Sequence, residues 1–309
     1  MDADKTLNQK KPSFKDWVEA ARLRTLPLAL ASVLTGSFIA IDSGVYHWGI
    51  IILAIVTTLF LQILSNFAND YGDTLKGTDN DERVGPQRTV QSGKISPMQM
   101  KNAIILFAVL SFVSGLALIY SAFGNHFVLA LLFLLLGLFS IVAAVRYTVG
   151  RNAYGYKGLG DLFVFLFFGL TGVAGTWFLN SQQWQWDILL PASAIGLLSA
   201  GVLNLNNMRD IDNDLKSGKI TLAGRMGFKG ARLYHTLLIV VSFGLITWFV
   251  LLHYKNIWSL LYILSTPFFL ADLIKLFKMK HHSKLDPFLK RLSLSILLLS
   301  VLLGVGLLL

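Results

Sequence analysis

Nine long apolar runs constrain the fold of this chain more than any other feature of its sequence. A run of about 18 to 25 mostly apolar residues is the length that crosses a bilayer as an α-helix. With 54% hydrophobic and only 14% charged residues, the chain has too little charge to cover a soluble domain of this size. We therefore predict an all-α polytopic membrane protein, a bundle of about nine transmembrane helices. The runs are approximately Leu26–Ile41, Trp48–Phe67, Asn102–Ala122, Phe127–Val145, Leu162–Leu179, Ile188–Leu205, Leu233–His253, Ile257–Phe277 and Leu292–Leu309.

Lysine and arginine are distributed unevenly among the loops between these runs. The N-terminal arm and alternate loops carry most of them, whereas the other four loops hold only Lys255 between them. Because basic residues favour cytoplasmic loops, we predict a cytoplasmic N-terminus and, from the odd number of spans, a C-terminus outside. The net charge of +10 follows this loop pattern, so we predict no nucleic-acid partner. We divide the chain into a cytoplasmic arm, residues 1–25 with a short interfacial helix near Phe14 to Arg22, and one transmembrane domain, residues 26–309.

Two acidic stretches follow the second and sixth apolar runs. The first, NFANDYGDTLKGTDNDERVGPQR, covers Asn66 to Arg88, and the second, NLNNMRDIDND, covers Asn204 to Asp214. Together they hold 8 of the 17 acidic residues of the chain. One such stretch alone is typical of a solvated helix end, but two similar stretches favour a shared site on the cytoplasmic side. A short echo, QSGKIS after the first and KSGKIT after the second, supports a tandem arrangement that brings them opposite each other.

The spacing inside each stretch suits a hard cation. Asn69 and Asp73 are four residues apart and share a helix face, as do Asp210 and Asp214, with Asn206 one turn earlier. Carboxylate and amide oxygens are the ligands that Mg²⁺ prefers, and Mg²⁺ is often shared with substrate phosphates. We therefore predict that the two clusters hold Mg²⁺ and a diphosphate. The remaining candidate substrate-binding residues are Asn66, Asp70, Lys76, Arg83, Arg88, Lys157 and Lys219.

The basic candidates have a second interpretation, because the cytoplasmic loops of any membrane protein are rich in lysine and arginine. Lys157 differs from the others, since it lies in the glycine- and tyrosine-rich segment YGYKGLGD beside Asp161, at a predicted helix start. The chain has no cysteine, which excludes disulfides and thiolate metal sites.

Four segments together resemble the UbiA-type intramembrane prenyltransferase superfamily, over nearly the whole chain. They are ARLRTLPLALASVLTG, NDYGDTLKGTDNDERVGPQR, YGYKGLGDL and NNMRDIDNDLKSGKITLAGRMG. Within the superfamily the likeness is strongest to the 1,4-dihydroxy-2-naphthoate polyprenyltransferases of menaquinone synthesis. The superfamily's first motif places an aspartate where this chain has Gly77, and the nearby Asp79 resembles a variant of the naphthoate branch. The second motif matches Asp210 and Asp214 directly.

The resemblance implies an enzyme that uses Mg²⁺, bound by Asn69, Asp73, Asp79, Asp210 and Asp214, to transfer a polyprenyl chain. The donor would be polyprenyl diphosphate and the acceptor dihydroxynaphthoate, with loss of CO₂, at the cytoplasmic side of a bacterial inner membrane. One alternative is another aromatic acceptor of the same superfamily, such as 4-hydroxybenzoate or homogentisate. A second is an ion-coupled secondary transporter, although transport acids usually lie near mid-membrane and these lie at helix ends.

Overall fold

The computed structural model describes residues 11–78 and 84–309, and helices make up most of both ranges. The α-helices are α1 (Phe14–Ala21), α2 (Leu26–Asp42), α3 (Trp48–Leu75), α4 (Pro97–Phe123), α5 (Phe127–Arg146), α6 (Gly160–Val164), α7 (Gly175–Ser181), α8 (Leu189–Arg209), α9 (Ile211–Lys216), α10 (Leu222–Leu252), α11 (Thr266–Lys278) and α12 (Asp286–Leu308). A π-helix, Phe165–Ala174, joins α6 to α7. Short 3-10 helices cover Leu23–Thr25, Tyr154–Lys157, Trp186–Ile188, Ile257–Ser265 and His282–Leu285.

Within the described ranges, nine helical segments are long and apolar enough to cross a membrane. The predicted all-α architecture and the number of spans are therefore confirmed. The main difference between the predicted spans and the observed helices lies near the acidic stretches, where the helices continue beyond the apolar residues. α3 continues to Leu75, two turns beyond the predicted end at Phe67. Hydropathy alone misses such extensions, because a helix continues through polar residues wherever its backbone stays hydrogen-bonded.

The helix that carries the second acidic stretch lies at the centre of the bundle. In the apolar window of the span ending at Arg209, 72% of residues are buried, compared with 11% in the window of α5. α8 packs against α10, the π-helix and α12, and its side chains Ile195, Leu198 and Met208 have no exposed surface. α5 has few buried residues and lies on the periphery, as its uniformly apolar sequence predicts.

Small residues allow the fifth span to approach its neighbours closely. A methyl group added at Gly169 would collide with the backbone oxygen of Ala192 on α8, and one added at Gly172 would collide with Ser32 on α2. Close packing at glycine is the usual way that membrane helices gain contact area. The Tyr154–Lys157 segment lies just before α6, and the Tyr156 backbone oxygen accepts a hydrogen bond of 3.1 Å from the Ile220 N–H that follows α9.

The two loops that follow the acidic stretches have the same local structure. Gly93 and Gly218 both adopt the left-handed conformation, with φ of 72° and 73°. Ser96 then caps α4, and Thr221 caps α10, each through its hydroxyl oxygen. The sequence echo therefore corresponds to a repeated turn and helix start, which places the acidic stretches at the same end of the bundle.

Candidate active site at the two acidic clusters

The two acidic stretches meet at one end of the bundle. The Asn213 side chain in the second stretch donates a hydrogen bond to the backbone oxygen of Thr78 in the first, at 2.8 Å. The ring of Tyr156 lies between them: its hydroxyl contacts Asp73, and Lys219 Nζ lies 5.9 Å from its centre. The two stretches thus lie against each other within the described residues, and the site that they share stays a prediction. Asp79 and Arg83 lie outside the described residues.

Asp73 is a buried carboxylate of the first stretch, and it lies nearest the second stretch through Tyr156. Tyr156 donates a hydrogen bond to Asp73 Oδ1 at 2.8 Å, and Arg88 Nη2 lies 3.7 Å from Asp73 Oδ2. The Tyr156 hydroxyl also shares a hydrogen bond of 2.6 Å with Thr78. A carboxylate removed from water requires such partners, because leaving it unpaired costs several kcal/mol. These contacts fix the direction in which Asp73 presents its oxygens.

Asn69, one turn before Asp73, is half-buried. Its side-chain oxygen accepts a hydrogen bond of 3.3 Å from Thr148, which also donates to the Ala68 backbone oxygen at 2.9 Å. Gly72 lies directly against Thr148, with no space for a Cβ atom. The end of α3 is therefore held against the loop that follows α5, and Asn69 and Asp73 share one helix face as predicted.

Two other predicted binding residues of the first stretch have structural partners. Asn66 donates hydrogen bonds to the Ala21 backbone oxygen at 2.8 Å and to Thr25 at 3.0 Å, which attaches the N-terminal arm to α3. Asp70 accepts three hydrogen bonds of 2.7 to 3.2 Å from Thr89 and Val90. Asp70 therefore fixes the backbone next to Arg88 and positions that guanidinium beside Asp73.

The second stretch is organised around Arg209, whose side chain is fully buried. Its guanidinium donates two hydrogen bonds to Asp210, from Nε at 2.9 Å and from Nη2 at 2.6 Å. It also donates to Asn206 Oδ1 at 2.9 Å. The backbone of Gly85 lies against the same guanidinium, where an added methyl group would sit 2.7 Å from Nη2. Arg209 thus orients Asp210 and Asn206 together.

Asp214 and Lys219 form a buried ion pair, with 3.2 Å between Lys219 Nζ and Asp214 Oδ1. Burial raises the pKa of Asp214 to about 6, although Lys219 opposes this rise. Burial alone would lower the pKa of Lys219, but Asp214 and Asp73 together raise it above its usual value. Lys219 therefore stays positively charged and lies near both acidic clusters. The other oxygen of Asp214, Oδ2, is buried and accepts no hydrogen bond from the described residues.

The segment from Tyr154 to Lys157 directs Tyr156, and not Lys157, toward the two clusters. Lys157 is exposed, and its Nζ donates to Asn152 at 3.2 Å. Lys76, a predicted substrate-binding residue, lies with its Nζ 3.9 Å from the centre of the Tyr156 ring. Partial burial lowers the pKa of Lys76, and Asp73 opposes this shift. Tyr156 lies in the segment YGYKGLGD and contacts Asp73, but it was not among the predicted binding residues.

The side-chain oxygens at this place are of the kind that a hard divalent cation prefers. Asp73, Asp214 and Asn69 supply oxygen atoms, and the buried Asp214 Oδ2 has an unused lone pair. Across residues 11–78 and 84–309, however, no three acidic or histidine side chains form a group that could hold a metal by themselves. The described side chains therefore supply part of a coordination shell, which suits Mg²⁺ because this ion keeps water and phosphate ligands.

Proteins of known sequence and structure resemble this chain over nearly its full length. It is 43% identical to 1,4-dihydroxy-2-naphthoate octaprenyltransferase of Haemophilus influenzae, over 100% of this chain and 99% of that protein. It is 44% identical to the Escherichia coli enzyme of the same name, over 81% of each. The structure of a UbiA homologue from Archaeoglobus fulgidus bound to DMAPP and Mg²⁺ is 18% identical, covers 93% of this chain and 98% of that one, and has a TM-score of 0.60.

Because the sequence identity to that homologue is low, the structural comparison shows a shared fold and nothing further. A family model, described as the UbiA prenyltransferase family, matches residues 29–305. This range contains both acidic clusters, Tyr156 and Lys219. With this match and the nine apolar spans found in the described part of the chain, the protein is an integral membrane protein and belongs to the UbiA prenyltransferase family.

Proposed function

We propose that this protein transfers a polyprenyl chain from polyprenyl diphosphate to 1,4-dihydroxy-2-naphthoate, with decarboxylation, to give the quinol form of demethylmenaquinone. The observation that carries the proposal is the 43% identity, over 100% of this chain and 99% of the relative, to a protein named for this acceptor. The junction of the two acidic clusters supports it, because a diphosphate needs cationic and metal-binding groups at one place. The proposed location is the bacterial inner membrane, with the site facing the cytoplasm.

We assign the donor diphosphate to the polar end of the bundle, between the two clusters. Lys219, Arg88 and Lys76 bring positive charge to this place, and Arg88 and Lys219 do so from buried positions where charges interact strongly. Asn69, Asp73, Asp210 and Asp214 are the proposed Mg²⁺-binding residues, with Asp79 as a further candidate outside the described range. When bound there, Mg²⁺ would act as a Lewis acid that stabilises negative charge on the departing diphosphate.

The proposed reaction breaks the bond between prenyl C1 and the diphosphate oxygen, and the electron pair leaves with the diphosphate. The ring carbon that bears the carboxylate then forms a bond to C1. Loss of CO₂ returns an electron pair to the ring and restores its aromaticity. Preorganised positive groups contribute most where negative charge develops, which is at the diphosphate. Tyr156 and Arg209 keep Asp73 and Asp210 oriented, and the surrounding apolar helices keep water away from the electron-poor C1.

The proposal is tested by a prenyl-transfer assay on purified protein in detergent or in vesicles. Dihydroxynaphthoate and 4-hydroxybenzoate are offered separately with a polyprenyl diphosphate, each with and without Mg²⁺. We expect product and CO₂ from dihydroxynaphthoate only, and only with Mg²⁺. Product from 4-hydroxybenzoate alone would keep the reaction class and refute the acceptor. Absence of product from either, combined with solute uptake by vesicles that contain the protein, would favour the transporter alternative.

A further inference from the structure

A row of four alternating charges connects the second acidic cluster to the last helix and to the N-terminal arm. Arg24 Nη1 lies 3.0 Å from Asp286 Oδ1, and the same oxygen lies 2.5 Å from Arg209 Nη1. Arg209 in turn holds both oxygens of Asp210. The order is therefore Arg24, Asp286, Arg209, Asp210. The row joins segments that are 262 and 77 residues apart in sequence.

The inner two members of the row are each shared between two partners. Arg209 is fully buried and divides its donors between Asp286 on one side and Asp210 on the other. Asp286, the first residue of α12, is about one-third exposed and divides its charge between Arg209 and Arg24. A buried guanidinium cannot turn to water. If Arg209 loses its carboxylate partner on one side, it must therefore interact more strongly with the carboxylate on the other side.

We infer that Asp286 is a positioning residue that sets how strongly Arg209 neutralises Asp210, and thereby the affinity of the second cluster for a divalent cation. This inference rests on the proposed function, in which Asp210 contributes to the cation site. Without the carboxylate of Asp286, Arg209 binds Asp210 more tightly and the row gains one net positive charge. Both changes weaken cation binding at Asp210. Without Arg24, Asp286 gives its full charge to Arg209, and both effects reverse.

A nearby ion pair serves as the matched control. Asp272 on α11 and Arg291 on α12 lie 2.9 Å apart, so this pair also joins an aspartate to an arginine at the same helix. Within the described residues, no hydrogen bond or ion pair connects Asp272 or Arg291 to Arg209 or Asp210. Asp272→Asn therefore tests what the loss of one carboxylate that pairs with an arginine of α12 does to the bundle in general.

The test measures binding of Mn²⁺ alone to the purified full-length protein by electron paramagnetic resonance, without substrates. The variants are Asp286→Asn, Asp286→Glu, Arg24→Gln and Asp272→Asn, and the thermal midpoint of each is recorded. We expect Asp286→Asn to weaken Mn²⁺ binding about tenfold, because an elementary charge near a divalent ion in a partly buried site has an effect of at least this size. Asp286→Glu should restore most of the affinity. Arg24→Gln should strengthen binding about two- to threefold, and Asp272→Asn should leave it unchanged.

Steady-state kinetics with Mg²⁺ provide a second readout. We expect Asp286→Asn to raise the Mg²⁺ concentration for half-maximal rate about tenfold and to change kcat at saturating Mg²⁺ by less than about threefold. Equal Mn²⁺ affinity in Asp286→Asn and the unmodified protein would overturn the inference while leaving the proposed function intact. Weaker binding in both Asp286→Asn and Arg24→Gln would also overturn it, since the row requires opposite signs. If the unmodified protein binds no Mn²⁺, both the inference and the proposed cation site fail.

Discussion

Removal of the Tyr156 hydroxyl is the smallest change that tests the geometry of the proposed site. It donates to Asp73 at 2.8 Å and shares a hydrogen bond of 2.6 Å with Thr78, so it connects the carboxylate to the chain just after α3. Tyr156→Phe removes this one oxygen and keeps the ring, on whose face Lys76 Nζ lies at 3.9 Å. The substitution therefore changes the orientation of Asp73 without removing the packing between the two clusters.

The magnitude follows from the charge on the acceptor. A hydrogen bond to a charged group contributes about 1.5 to 3 kcal/mol, and each 1.4 kcal/mol corresponds to a factor of about ten. If Asp73 must point in one direction in the transition state, kcat/KM of Tyr156→Phe falls about ten- to a hundredfold. The free energy of unfolding should fall by about 1.5 to 3 kcal/mol at most, because the same hydrogen bond to a charged acceptor is lost from the folded state.

The assay is prenyl transfer at saturating Mg²⁺, with kcat and KM for the prenyl diphosphate measured separately. Tyr154→Phe is the matched control, because it makes the same change two residues away in the same segment. The Tyr154 hydroxyl donates a hydrogen bond to the backbone oxygen of Ala143 at 2.9 Å. Within the described residues, this hydroxyl forms no hydrogen bond with either acidic cluster. We expect Tyr154→Phe to keep kcat/KM within about twofold of the unmodified protein.

Two results would refute this reasoning. Unchanged kcat/KM in Tyr156→Phe would show that the hydroxyl does not orient a group that matters in the reaction. An equal loss in Tyr154→Phe and Tyr156→Phe would show that the substitutions act through the shape of the segment and not through Asp73. The thermal midpoint of each variant separates both results from a loss of folded protein.

The remaining predictions concern the acids, the lysines and the metal. Asp73→Ala and Asp210→Ala should each abolish turnover in protein that still elutes as a folded species in detergent, and full activity in either would remove that residue from the mechanism. Lys219→Gln should raise KM for prenyl diphosphate at least about tenfold, because Lys219 is buried between the clusters. Lys157→Gln should change this KM less than about twofold, because Lys157 is exposed. A larger effect of Lys157→Gln than of Lys219→Gln would indicate that Lys157 binds the diphosphate. Chelation with EDTA should abolish activity and added Mg²⁺ should restore it, and activity that persists in EDTA would contradict the proposed cofactor.

The span count and the meeting of the acidic stretches were predictable from sequence because each depends on a local or periodic pattern. Each long apolar run identifies one membrane-spanning helix directly. The echo around Gly93 and Gly218 corresponds to one turn used twice, so it indicated that the stretches end at the same side of the bundle.

The parts that were not predictable depend on side-chain direction or on distant contacts. The choice between Tyr156 and Lys157 is set by the rotation of a short 3-10 turn, and no periodic signal in the sequence gives that rotation. The partners of Asn66 and Asp70 lie on other segments, so both residues looked like binding residues of the acidic stretch. Asp286 was missed because it is an isolated acid at a helix start, and only its contact with Arg209 connects it to the site.

Each of the three buried carboxylates at the site has a basic partner. Without such partners, these carboxylates would be too costly to keep ionised away from water. The pairs are Asp73 with Arg88, Asp210 with Arg209, and Asp214 with Lys219.

Three such pairs carry no net charge, and this sets an expectation for substrate binding. A prenyl diphosphate carries several negative charges, which the paired side chains alone do not neutralise. Lys219 can attract phosphate only to the extent that its carboxylate partner gains another cation. We therefore expect removal of Mg²⁺ to weaken the binding of prenyl diphosphate itself, in addition to slowing the reaction. Equilibrium binding of the donor, measured with and without Mg²⁺ in the absence of acceptor, checks this expectation, and equal affinity in the two conditions would show that the basic residues bind the diphosphate without help from the acids.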